Sequence, residues 1–117
     1  MSSQTSALVM GVGPEQGLGA ALCRRFAKEE MQVFVCGRTK DKVDAVCSSI
    51  TSQNGNAVPI VTDVTEIKQV EGMINIIRDS QLPLELAVYN AGNNLPQKFS
   101  ILVFIEFFTI KSPFDNS

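Results

Sequence analysis

The chain has no histidine and no tryptophan. Without imidazole there is no Ser–His catalysis and no His-ligated zinc. Cysteine is sparse: Cys23, Cys36 and Cys47 make an odd number in no CxxC or zinc spacing. They are expected to be reduced small hydrophobes of a cytoplasmic protein, with no chemistry of their own. Charge of one sign is not in excess either. Ten Lys+Arg against twelve Asp+Glu, a net −2, leaves no basic footprint for nucleic acid. No apolar run approaches the roughly 20 residues of a membrane span, and the polar start Met1-Ser2-Ser3-Gln4-Thr5-Ser6 lacks the features of a secretory signal. Neither nucleic acid nor membrane is therefore expected as a partner. What is present is 117 residues, 44% of them hydrophobic: too apolar for disorder, and enough for one core but not two.

Two periodicities alternate over the first ninety residues. Ala7-Leu8-Val9-Met10, Gln32-Val33-Phe34-Val35-Cys36, Ala57-Val58-Pro59-Ile60-Val61 and Leu84-Glu85-Leu86-Ala87-Val88-Tyr89 are short apolar runs ending at turn residues, which predicts buried strands. Pro59 requires an edge position or a strand start. Between them fall three helical patterns. The first begins at Gly17 with Leu18, Leu22 and Phe26 one turn apart, and the second covers Lys40 to about Ser52 on Val43, Val46, Cys47 and Ile50. The third covers Glu66–Asp79 on Ile67, Val70, Met73, Ile74 and Ile77, with Thr65 as its expected N-cap. Alternation of this kind predicts an α/β protein, a Rossmann-like doubly wound parallel sheet of about four strands in the order 3-2-1-4. Helices one and two would then share one face and helix three would cover the other.

The character changes after Gly92. Five of seven phenylalanines fall at or beyond Phe99, and Ile101–Ile110 carries a single charge, Glu106. That run is compatible with a buried strand, a buried helix that folds back over the face left to helix three, or sequence outside the fold.

Chemistry is concentrated in Gly11-Val12-Gly13-Pro14-Glu15-Gln16-Gly17-Leu18-Gly19, between the first strand and the first helix. Glycines let a backbone turn sharply and approach a phosphate, and the helix start then offers unpaired N–H groups and the positive end of its dipole. The spacing is not G-x-G-x-x-G, because Gln16 stands where its third glycine would fall. No Gly-Lys-Ser/Thr follows, which excludes a P-loop. A methyltransferase-like site would want an acid after the second strand, where Gly37-Arg38 stands instead.

Gly13-x-x-x-Gly17-x-Gly19 resembles the T-G-x-x-x-G-x-G loop of the short-chain dehydrogenase/reductase family, with Val12 in place of the threonine. Three further segments resemble the family in register. Gly37 stands where NAD-preferring members carry an acid, and Arg38 follows it; a guanidinium grips a 2′-phosphate that a carboxylate would repel. The resemblance thus implies NADP(H) rather than NAD(H). Asp63-Val64 resembles the pair whose acid meets the adenine amino group. Asn90-Ala91-Gly92 resembles N-N-A-G, with Tyr89 for the first asparagine. The implied cofactor-binding residues are Gly13, Gly17, Leu18, Gly19, Arg38, Asp63, Val64, Asn90, Ala91 and Gly92.

The resemblance covers about Ser6 to Asn94, the amino-terminal half of the family's domain, so the sheet is expected to be a truncated one. Residues 6–94 form the expected NADP(H)-binding half-domain and 95–117 a divergent apolar tail. The family's Tyr-x-x-x-Lys pair is missing: Tyr89 is the single tyrosine, with Asn93 four residues on. No residue here is assigned a catalytic role. Members reduce carbonyls or oxidise alcohols, which is the activity implied for a parent protein. The alternative is a non-catalytic nucleotide-binding or regulatory fragment that associates with a full-length relative.

Overall fold

The first two apolar runs become central strands that bury both of their faces, while the third and fourth become strands that are only partly covered. A computed structural model of the chain describes residues 4–90. Its elements are β1 (Ser6–Met10), α1 (Leu18–Lys28), β2 (Gln32–Gly37), α2 (Lys40–Thr51), β3 (Asn56–Val61), α3 (Ile67–Asp79) and β4 (Leu84–Tyr89). The strands form one parallel sheet in the order β3-β2-β1-β4, as the alternation predicts. Pro59 lies on the edge strand β3, where its missing N–H leaves the outer side free of cost.

Period-two alternation sends side chains to opposite layers. Leu8, Met10, Phe34, Cys36 and Ile60 meet Val70, Met73, Ile74 and Ile77 of α3. Val9, Val33 and Val35 meet Ala20 and Cys23 of α1 and Val43, Val46, Cys47 and Ile50 of α2. Phe34 and Leu8 are fully enclosed, and burying each contributes about 1.5–3 kcal/mol. In β4, Ser6 pairs with Leu84 but Ala7 with Leu86, so Glu85 is an extra residue. That bulge resets the alternation and turns Leu84, Ala87 and Tyr89 together toward the α3 layer.

Three expectations need correction. Leu18 is 65% exposed and Ile67 67%; both are the first residues of their helices, where the chain arrives from loops at the carboxyl end of the sheet. The face that α1 buries is Gly19, Ala20 and Cys23, small residues that let the helix lie close to the strands, with Leu22 and Phe26 flanking. Thr65 does not cap α3. The N-cap is Glu66, without a side-chain cap bond, because the Thr65 hydroxyl is drawn instead to Asp63 Oδ1 at 2.7 Å.

Ala91, Gly92 and the apolar segment from residue 95 lie outside the described residues. Among those described, no helix is long and apolar enough to cross a membrane, and no three His, Cys, Asp or Glu side chains gather as metal ligands.

Candidate nucleotide-binding cleft

All four strands end on the same side, and the backbone ladder holds the exits together. Val12 N–H donates to the Cys36 carbonyl at 2.9 Å, Thr62 N–H to Gly37 at 2.8 Å, and Asn90 N–H to Met10 at 2.9 Å. The strand order reverses between β1 and β4, with β2 and β3 added on one side of β1 and β4 on the other, and the crevice at such a switch point is where open α/β sheets bind ligands. Here it is a cleft of about 220 Å³, smaller than the roughly 300–1,000 Å³ of a complete small-molecule pocket and suited to one end of a dinucleotide. Each strand contributes to its wall: Gly11, Val12 and Gly13 after β1; Gly37, Arg38 and Thr39 after β2; Thr62, Asp63, Val64 and Thr65 after β3; Tyr89 and Asn90 at β4.

The glycines do different work. Gly11 has φ +86°, and a Cβ there would overlap the Asn90 carbonyl. At Gly37 a Cβ would overlap the Val12 carbonyl and stand 2.9 Å from Val43 Cγ2, so close packing of protein on protein demands these two. Gly13 is the contrast, since a Cβ would meet nothing within 4 Å. Among the described residues no neighbour requires a glycine there, and the space over its backbone opens on the cleft.

Gly17 is the N-cap of α1, makes no side-chain cap bond, and no acidic residue stands in the first turn. The helix start therefore keeps free N–H groups and an unneutralised positive dipole end, as a bound phosphate would need. Arg24 Nη2 donates to the Glu15 carbonyl at 3.1 Å and braces the loop from the side. Val12, where the family has threonine, is buried in the α1–α2 layer. Of the expected site residues, Gly13, Arg38, Asp63, Val64 and Asn90 line the cleft. Gly17, Leu18 and Gly19 form the adjoining helix start; Ala91 and Gly92 lie outside the described residues.

Asp63 is held by its own turn. Its Oδ1 accepts from Thr65 N–H at 3.0 Å and from the Thr65 hydroxyl at 2.7 Å, while its N–H donates to Gln69 Oε1 at 2.8 Å. These Thr65 bonds, more than the Arg38 guanidinium, lower its carboxyl below the usual value. Asp63 is thus an acceptor with Oδ2 uncommitted among the described residues. Asn90 Nδ2 donates to the Gly11 carbonyl at 3.2 Å and ties β4 to the loop after β1. Thr39 and Lys42, which the motifs did not single out, also line the cleft.

A second hollow, of about 440 Å³, lies between the carboxyl-terminal halves of α1 and α2 beside Lys28, Gln53 and Asn54. Helix C-termini carry partial negative charge, so a phosphate is disfavoured there despite the larger volume.

Comparison with known proteins agrees with this geometry. The family model described as short chain dehydrogenase matches residues 6–108. Ketoacyl reductase HetN of Nostoc sp. is 26% identical over 100 residues, covering 86% of this chain and 35% of the relative. The chloroplastic chlorophyll(ide) b reductase NOL of Oryza sativa subsp. japonica is 30% identical over 88 residues, 74% of this chain and 26% of the relative. A variant of actinorhodin polyketide ketoreductase solved with NADPH superposes with a TM-score of 0.81 at 20% identity, covering 99% of this chain and 51% of that one. The chain therefore spans about a third or less of these curated relatives and half of the solved structure. With a parallel 3-2-1-4 sheet, a glycine-rich first turn and a family match over most of its length, the chain belongs to the short-chain dehydrogenase family.

Proposed function

We propose that residues 6–94 are the NADP(H)-binding part of an oxidoreductase that reduces carbonyls or oxidises alcohols, with 95–117 a separate tail. One observation carries this: the fold gathers Gly13, Arg38, Asp63 and Asn90, four separate segments of the sequence, around a single cleft. Gly13 and the α1 start would receive the pyrophosphate, Asp63 would accept from the adenine amino group, and Arg38 would bond a 2′-phosphate. No carboxylate takes the end of β2, where Gly37 stands. When bound, the nicotinamide supplies or accepts hydride. No Tyr-x-x-x-Lys occurs within the 117 residues, so proton transfer to substrate is assigned to groups outside this segment. Titration of the chain with NADPH and NADH tests the proposal. Tighter NADPH binding is expected, with Arg38→Ala removing about tenfold or more of it, the worth of a charge-assisted bond. Equal affinity for the two cofactors would refute the assignment.

A second reading, a non-catalytic module that pairs with a full-length relative, is favoured by β4. This strand ends the sheet among the described residues, Leu86 on it is 38% exposed, and Ile76 on α3 is 43% exposed. Co-purification of the tagged chain with a full-length relative supports this reading; a chain that remains alone when the two are mixed rejects it.

A further inference from the structure

The sequence holds a single Asn-Gly pair, Asn54-Gly55, away from the nucleotide cleft, where α2 gives way to β3. Asparagine is among the chemically labile side chains of proteins. Before a glycine, no side chain hinders attack on its amide carbon by the next backbone nitrogen. Asn54 is exposed, so sequence and surface together make it reactive. The backbone opposes this. Asn54 has φ 68°, the left-handed region that asparagine tolerates. Its N–H donates to the Thr51 carbonyl at 3.0 Å, and Gly55 N–H donates to the Ile50 carbonyl at 3.0 Å, the two bonds of a Schellman closure. A Cβ at Gly55 would stand 2.7 Å from Ile50 Cγ2 and 3.3 Å from Ala27 Cβ, so the turn is packed against α2 and α1 together. The nitrogen that would attack thus has its proton committed to Ile50.

We propose that Asn54 is a site of deamidation and backbone isomerisation that this turn gates. When the turn opens, Gly55 N gives up its proton and bonds to Asn54 Cγ, the Cγ–Nδ2 bond breaks, and ammonia leaves with that proton. Water then opens the cyclic imide at either carbonyl, giving aspartate or isoaspartate; no oxidant or reductant enters. In isoaspartate the main chain runs through Cβ and Cγ and is one atom longer, so the paired bonds to Thr51 and Ile50 cannot both re-form. The new carboxylate also lies at the carboxyl end of α2, where the helix dipole disfavours an anion. Conversion is therefore one-way. It takes place in the open turn, prevents reclosure, and frees the start of β3, where Asn56 pairs with Gln32 of β2.

The test follows isoaspartate at residue 54 by peptide mapping, at one pH and temperature. The samples are the full 117-residue chain in native buffer, the same chain in guanidinium, and a synthetic peptide of residues 50–58. The native chain should convert about tenfold or more slowly than the denatured one, because the Gly55 hydrogen bond and its packing must be given up first. The denatured chain should match the peptide. Equal rates in the native and denatured chain would overturn the gate, and no isoaspartate in any of the three would overturn the site. Asn54→Gly, which suits φ 68°, should abolish the product and leave the denaturant midpoint unchanged or higher; a lower midpoint would mean that the Asn54 side chain itself holds the turn. The isoaspartyl chain, separated by chromatography, should unfold at a lower denaturant midpoint and exchange its Gly55 amide faster than the unconverted chain. An unchanged midpoint and amide would overturn the claim that conversion prevents reclosure.

Discussion

A side chain's neighbours decide whether it serves the fold or a ligand, and the glycines of the cleft show both cases. Gly37→Ala forces a Cβ into the Val12 carbonyl and against Val43, and should destabilise the chain by about 1–3 kcal/mol, as overpacking does. Gly13→Ala meets nothing; its melting temperature should stay within a degree or two while nucleotide binding falls, as calorimetry and titration of one sample would check. A loss of stability at Gly13 equal to that at Gly37 would remove its ligand role. The thiols make a separate test. Burial pushes Cys23 and Cys36 from 9.0 up to about 12 and Cys47 to about 11. A raised value in the folded state means stability is intact below about pH 9 and is lost as pH rises toward 12. Alkylation at pH 8 should accordingly be slow at all three until denaturant is added; rapid labelling of any one would contradict its burial. Several of these residue roles were legible early. Cys36 and Cys47 read as core from their apolar neighbourhoods, and Arg38, singled out because it follows Gly37 where NAD-preferring relatives carry an acid, lies on the cleft wall.

At the scale of elements, every strand and helix of residues 6–90 was readable from period and punctuation, most plainly in β1 and β2, where burial on both faces makes a nearly uniform apolar run. The stripes of α2 and α3 were correct in their interiors and wrong only at Ile67. Leu18 failed for the same reason: periodicity says which residues share a face, not where along that face the sheet stops. Thr65 was misplaced by one position because its hydroxyl had a better partner in Asp63 than a helix N–H. Since Glu66 caps α3 without a side-chain bond, Glu66→Ser should stabilise the chain by about 0.5–1 kcal/mol, read as a higher denaturant midpoint at constant m-value. A lower midpoint would mean that Glu66 serves the loop in another way.

At the scale of the molecule, the described residues form a sheet with helices on both faces that carries its candidate ligand groups at one end, and its two outer strands differ. Proline guards β3, while among the described residues nothing pairs with the outer side of β4, which has six residues with no proline and an exposed Leu86. Unguarded edges invite pairing, so Leu86→Lys should reduce concentration-dependent association in sedimentation experiments without weakening NADPH binding. The order 3-2-1-4 followed from the doubly wound rule, and the cleft from placing four weak motifs at strand ends. Its net charge did not, since that depends on which side chains of α2 turn inward.

The central claim is that this cleft binds a nicotinamide dinucleotide and selects the phosphorylated one. The most direct measurement is titration of the isotope-labelled chain with NADPH and then NADH, followed through its amide resonances. Shifts at Gly13, Gly17–Gly19 and Asp63 with either nucleotide, reached at lower NADPH than NADH, and shifts at Arg38 that are larger with NADPH, are the predicted result. A well-dispersed spectrum unmoved by either nucleotide, or moved identically by both, would contradict the claim.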